Sequence, residues 1–228
     1  MEFTKVNGKV VKVGLPPGGH VLARRGAMLF YTGDVQFIPN TTGGSPGGGM
    51  GGMGGLVGMA GRAMAGENVA MMAAQAGQSG GEVFYGHAGL HVNVITLDGS
   101  SPLTVEADRL LAHDGSLGSS VVFLGSQGGV RGAVRGAMTG QGLFTTQLAG
   151  AGSVAVLSHG GSFELPVSPG SHVVVDPQAY VGHIGNLQLD VSASVGWRDA
   201  VGRGSGEAIQ LKVSGQGVVY VQASEQKF

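Results

Sequence analysis

A box of Gly-Glu or Gly-Gln, then an apolar stretch, a pair of glycines and a β-branched run, occurs three times along this chain. The first copy reads Gly66-Glu67-Asn68-Val69 and ends in Gly80-Gly81-Glu82-Val83-Phe84. The second reads Gly140-Gln141-Gly142-Leu143-Phe144 and ends in Gly150-Ala151-Gly152-Ser153-Val154-Ala155-Val156, and the third reads Gly206-Glu207-Ala208-Ile209 and ends in Gly215-Gln216-Gly217-Val218-Val219-Tyr220-Val221. Self-similarity at a long period constrains the fold, because each unit is then one supersecondary module that buries its apolar face against its neighbours.

The segments ahead of the boxes set the register. Val11, Val13, Leu15, Pro17-Gly18, His20 and Val21 stand at one constant offset from Phe163, Leu165, Val167, Pro169-Gly170, His172 and Val173. A looser middle copy has Val92, Val94, Asp98-Gly99, Leu103-Thr104-Val105 and Leu110-Leu111-Ala112-His113, the last matching Tyr180-Val181-Gly182-His183. These matches divide the chain into units 1–86, 87–158 and 159–228, packed as one body, with a Gly/Met-rich insertion at about 43–61 in the first. Alternation of apolar and polar residues, as in Gln188-Leu189-Asp190-Val191 and Gln210-Leu211-Lys212-Val213, is the period of a strand with one face on a core. The best helical segment, Arg62 to Ala76, overlaps the first box, which argues that part of it is strand. The fold expected is all-β: three tandem β-sandwich repeats in a pseudo-threefold arrangement.

Composition narrows the function classes. Glycine supplies 46 of 228 residues, as turns and close backbone approaches require, and only 12% of residues are charged. With a net charge of −1 there is little bulk attraction for nucleic acid or anionic lipid. The absence of cysteine excludes disulfides and thiolate chemistry. Met1-Glu2-Phe3-Thr4-Lys5 lacks a charged-then-apolar signal pattern, so the expected location is cytoplasmic. From Val35 to Gly61 there are 27 uncharged residues, but glycine dominates them and a spanning helix needs about 20 mainly apolar ones. The segment reads as a loop between strands, with a peripheral Met-rich contact as its alternative.

Motifs for chemistry are few. His87 and His91 stand four apart, which on a strand separates them by about 13 Å and does not suit a shared ion. Gly150-Ala151-Gly152-Ser153-Val154-Ala155 matches a loose dinucleotide pattern, yet a strand follows it where that pattern needs a helix. No metal, cofactor or catalytic residue is assigned. One polar set remains: Arg62, Arg135 and Arg203 each precede a box head, namely Glu67, Gln141 and Glu207. A threefold would bring them into a ring, either as salt bridges and hydrogen bonds that lock register or as a site for an anion or other ligand.

Arg62-Ala63-Met64-Ala65-Gly66-Glu67, Gly81-Glu82-Val83, His87-Ala88-Gly89, Leu97-Asp98-Gly99 and Leu110-Leu111-Ala112 together resemble the "altered inheritance of mitochondria" family, member twenty-four. Gly140-Gln141-Gly142-Leu143-Phe144 and Gly206-Glu207-Ala208-Ile209 resemble its Gly-Glu-Gly-Leu boxes, with Gln141 and Ala208 departing from the pattern. The resemblance covers nearly the whole chain. It implies a domain similar to the tryptophan RNA-binding attenuator protein, a double-stranded β-helix duplicated within one chain, and supplies no catalytic residues. It also implies a link to membrane or respiratory-complex organisation.

Three function classes follow. The first is a non-catalytic scaffold or interaction protein, with protein partners or self-association. The second is binding of RNA, a small anion or another ligand by the β array, for which fold analogy is the warrant. The third is a cupin-like barrel enzyme, which requires His and acid side chains to converge in one pocket.

Overall fold

The computed structural model describes residues 1–40, 71–123, 144–193 and 209–224. Within them every regular element is a strand except one 3-10 turn at Ala107–Arg109, so the fold is all-β as the alternation requires. Strand β2 (Val10–Leu15) shows why: Val11, Val13 and Leu15 are buried while the residues between them are partly open. Burying one face of a pleated strand selects that period.

In the first span β1 (Glu2–Asn7) pairs with β2, and β2 pairs with the second half of β5 (Met71–Tyr85), Val13 standing opposite Val83. Strand β3 (His20–Arg24) pairs with the first half of β5. Strand β4 (Met28–Asn40) runs the whole length of β5, from Met28 opposite Tyr85 to Asn40 opposite Met71. The last span pairs in the same way. Strand β12 (Ser162–Val167) lies on the second half of β15 (Ile209–Gln222), Leu165 opposite Val219, and β13 (His172–Val175) lies on the first half. Strand β14 (Tyr180–Ala193) runs along all of β15.

The long strands of the middle span are each divided in two. Strands β6 (His91–Asp98) and β8 (Leu110–Asp114) flank β11 (Ala151–Ser158). Strands β7 (Leu103–Glu106) and β9 (Gly118–Phe123) flank β10 (Phe144–Ala149). The halves belong to different sheets. One sheet runs β1-β2-β5-β3-β8-β11-β6 with β4 also on β5, and the other runs β12-β15-β14-β7-β10-β9 with β13 also on β15. Two ladders therefore join the spans: β3 to β8, with Leu22 opposite His113, and β7 to β14, with Thr104 opposite His183.

Two glycines permit close approach of the paired strands within the long hairpins. Gly33 (φ 85°) and Gly185 (φ 100°) hold left-handed backbone, and a Cβ there would sit 2.7 Å from the Gly80 carbonyl and 2.5 Å from the Gln216 carbonyl. No side chain fits at either. Apolar residues fill three neighbouring cores, one centred on Val13, Val83 and Leu157, one on Leu103, Leu148 and Val156, one on Val175, Val213 and Val219. The insertion at 43–61 lies outside the described residues, as does residue 62 to residue 70 of the helical candidate; its remainder, Met71 to Ala76, is strand in β5.

Candidate functional site

Arg62, Arg135, Arg203, Glu67, Gln141 and Glu207 all lie outside the described residues. His87 follows β5 and sits 3.4 Å from an Arg24 guanidinium nitrogen, while His91 opens β6. Burial, helped by the Arg24 charge, holds the His87 imidazole below its ordinary range. Among the described residues no three His, Cys, Asp or Glu side chains are grouped to hold a metal ion.

The polar residues that do converge lie where β7, the 3-10 turn and β14 meet. The Leu103–Glu106 strand is buried throughout, and its last residue delivers a carboxylate into the interior. Three residues on, Arg109 is completely buried, its Nε 3.6 Å from the Glu106 carboxylate. Such a pair persists in a core because each charge answers the other's desolvation. On β14, the Tyr180 hydroxyl stands 2.6 Å from His183 Nδ1. Burial, and then the nearby Glu106 charge, push the Tyr180 phenol well above its usual range. Burial draws the His183 imidazole down to about 4. At neutral pH the phenol keeps its proton and the imidazole is neutral, so the two share a hydrogen bond between uncharged groups.

The surrounding groups are tied in as well. The His159 backbone N–H donates to the Gln222 carboxamide oxygen at 3.0 Å, and that carboxamide donates to the Gln178 carbonyl at 3.1 Å. Burial and the Arg109 charge lower the His159 imidazole. His113, which the sequence equates with His183, has Nδ1 2.9 Å from the Asp114 carbonyl. A carbonyl only accepts, so Nδ1 of His113 is the protonated nitrogen. Chemically the cluster is a buried polar group, one ion pair and one short hydroxyl–imidazole contact, set at the β7–β14 junction. Sequence reasoning missed Glu106, Arg109 and Tyr180. Their signal was three charges, Glu106, Asp108 and Arg109, beside the Leu110-Leu111-Ala112-His113 match, in a chain with only 12% charged residues.

A second feature lies outside. Met28, Leu29, Phe30 and Tyr31 are four consecutive exposed apolar side chains on β4, which among the described residues pairs only with β5. Phe30 stacks on Phe84 with ring centroids 4.1 Å apart, and Tyr31 meets Phe37 edge-on at 5.3 Å. On β13, in the last span, Val174 is likewise exposed. Among the described residues no helix is long and apolar enough to cross a membrane.

Comparison with known proteins places this architecture. An X-ray crystal structure of a protein from Streptococcus pyogenes superposes with a TM-score of 0.67 at 21% identity, covering 98% of this chain and 92% of that one. At that identity the likeness speaks for the fold. No curated protein matches the chain in sequence. The profile of the family described as "Mitochondrial biogenesis AIM24" matches residues 2–224, nearly end to end, and the chain accordingly belongs to the AIM24 family.

Proposed function

We propose that this chain is a non-catalytic scaffold, built of three like units, whose contacts with other proteins run through its open strand edges. The observation that carries the reading is the run Met28, Leu29, Phe30 and Tyr31, exposed on a strand paired along one side among the described residues. Unpaired backbone and exposed apolar side chains on one edge form a template for another strand. The most concentrated polar chemistry supports the same reading from the other direction, since Glu106, Arg109, Tyr180 and His183 are sealed in the interior. The recurrence of one strand pairing along the chain supports the three-unit arrangement. Kinship with a family described by mitochondrial biogenesis supports a role for the proposed scaffold in the assembly of other components.

A photo-crosslinking residue at Leu29, in the full chain and in the cells that make it, tests the proposal. It should give a discrete protein adduct that the same residue at Lys5, exposed on β1, does not give. Equal and diffuse labelling from both positions would overturn the reading.

A further inference from the structure

Two junctions join the three spans, and each uses the same parts. In the first, β3 lies against β8, with Leu22 opposite His113 and Ala23 opposite Ala112. In the second, β7 lies against the start of β14, with Thr104 opposite His183 and Val105 opposite Gly182. The third span has its own counterpart of β3 in β13, and the first span has its own counterpart of β8 and β14 in the start of β4. Among the described residues these two strands pair only with β15 and β5.

The equivalence is fixed by register. Each strand that receives a neighbour carries a one-residue irregularity near its start: between Met28 and Phe30 on β4, between Tyr180 and Gly182 on β14, and opposite Ala155/Val156 on β8, where Ala112 and Leu110 are the paired residues. Leu29, Val181 and Leu111 are thus the same position. So are Tyr31, His183 and His113. On the donor side, the offset that matches His20 and Val21 to His172 and Val173 makes Val174 the counterpart of Leu22.

Exposure then separates made junctions from the unmade one. Leu111 and Val181 are 0% and 1% exposed, whereas Leu29 is 52% exposed. His113 and His183 are 2% and 7% exposed, against 45% for Tyr31. Leu22 and Thr104 are 8% and 6% exposed, against 50% for Val174. Both halves of a third junction are present, uncovered, in the first and last spans of one chain. Charge agrees with their meeting: exposed Arg25 precedes β4 and Asp176 follows β13, at the level where Arg24 in the first junction donates to the Asp108 carbonyl at 2.7 Å.

We infer that β13 of one copy of this chain adds to the free edge of β4 on a second copy, with Val174 opposite Tyr31, making between molecules the junction that β3–β8 and β7–β14 make within one. The inference rests on the scaffold reading and names its first partner. Such a contact joins different surfaces of two identical molecules, so it propagates head to tail or closes a ring. The alternation of the pleat fixes its register, because a one-residue slip would carry Val174 to the opposite face of the sheet from Tyr31.

The absence of cysteine in the natural sequence makes the test clean. Full-length Tyr31→Cys and Val174→Cys proteins, mixed and mildly oxidised, should form a disulfide-linked species of two chains in far greater yield than either alone. In the Tyr31→Cys/Val174→Cys double variant the link should again join separate chains. A link within one chain would show that the junction closes intramolecularly and overturn the inference. By light scattering the unmodified protein at micromolar concentration should have at least twice the 22.8 kDa chain mass. Val174→Lys should return it to one chain mass while leaving a cooperative thermal transition, since that side chain is exposed in the single molecule. A single-chain mass at every concentration would also overturn the inference. If the Leu29 photo-adduct with a different protein survives that result, the scaffold reading stands alone.

Discussion

The Tyr180 hydroxyl lies 2.6 Å from Nδ1 of His183, and burial keeps both groups neutral. With the phenol pushed up and the imidazole drawn down to about 4, one hydrogen is shared between two uncharged partners at neutral pH. Tyr180→Phe removes the hydroxyl and leaves the buried ring nitrogen without it. The expected cost is about 1 to 3 kcal/mol, read from urea denaturation at pH 7. A variant as stable as the parent would mean that the hydrogen bond contributes nothing net.

The same imidazole makes stability depend on pH. In the unfolded chain His183 binds a proton near its ordinary 6.5, whereas the folded chain resists protonation until about 4. Below 6.5 the unfolded state therefore holds more protons, and stability falls as pH drops from 6.5 toward 4. The loss approaches about 1.4 kcal/mol per pH unit, about 3 kcal/mol in all. His183→Gln should flatten this part of the profile. An identical slope in parent and variant would assign the dependence to other groups.

Arg109→Met should destabilise more than any surface change, because it strands the Glu106 carboxylate in the interior beside Tyr180. Removing one member of a buried pair costs about 3 to 5 kcal/mol. The double replacement Glu106→Leu/Arg109→Met should recover most of that loss. Chemical denaturation of the three variants gives the comparison, and additive losses would contradict a coupled pair.

Gly185→Ala forces a side chain onto left-handed backbone with the Gln216 carbonyl 2.5 Å from the new Cβ. A cost of about 1 to 3 kcal/mol is expected. Gly14→Ala is the control, since its nearest neighbour would lie 3.9 Å away, and it should change stability by less than about 0.5 kcal/mol. Thermal melts of the two side by side distinguish local strain from a general sensitivity to losing glycine.

Excision of 43–61 should leave cooperative unfolding intact. Asn40 and Met71 face each other at the ends of β4 and β5, so the hairpin ladder is complete on either side of the segment. Lengthening or shortening a loop between fixed ends changes closure entropy by only about 0.6 kcal/mol per doubling. Loss of the thermal transition in the deleted chain would place the segment in the core instead.

Much of the fold was legible because turn chemistry and alternation are local. Pro17-Gly18, Asp98-Gly99 and Pro169-Gly170 separate β2 from β3, β6 from β7 and β12 from β13, where the sequence pattern places turns. Gly150 likewise divides β10 from β11, and the loose dinucleotide motif is followed by strand. What local pattern could not supply was the partition of the middle span between two sheets, since β3–β8 and β7–β14 pair residues far apart in sequence. The buried cluster was hidden for the same reason. Arg109 and Glu106 look like surface charges until β14 is laid over them. The exposed run Met28 to Tyr31 looks like an ordinary core strand until its neighbour is found missing among the described residues.

The division of the middle span has a consequence for synthesis. Strands β6 to β11 leave the ribosome before β14, so β7 at first has a ladder to β10 and none on its other side. Leu103 and Val105, fully buried in the finished protein, then await a strand made more than 70 residues later. A nascent apolar edge of this kind invites holdase chaperones or wrong pairing with a neighbouring nascent chain. Slowing translation just after residue 158 should therefore prolong a sticky, two-thirds-made species, and speeding it should raise the yield of folded protein.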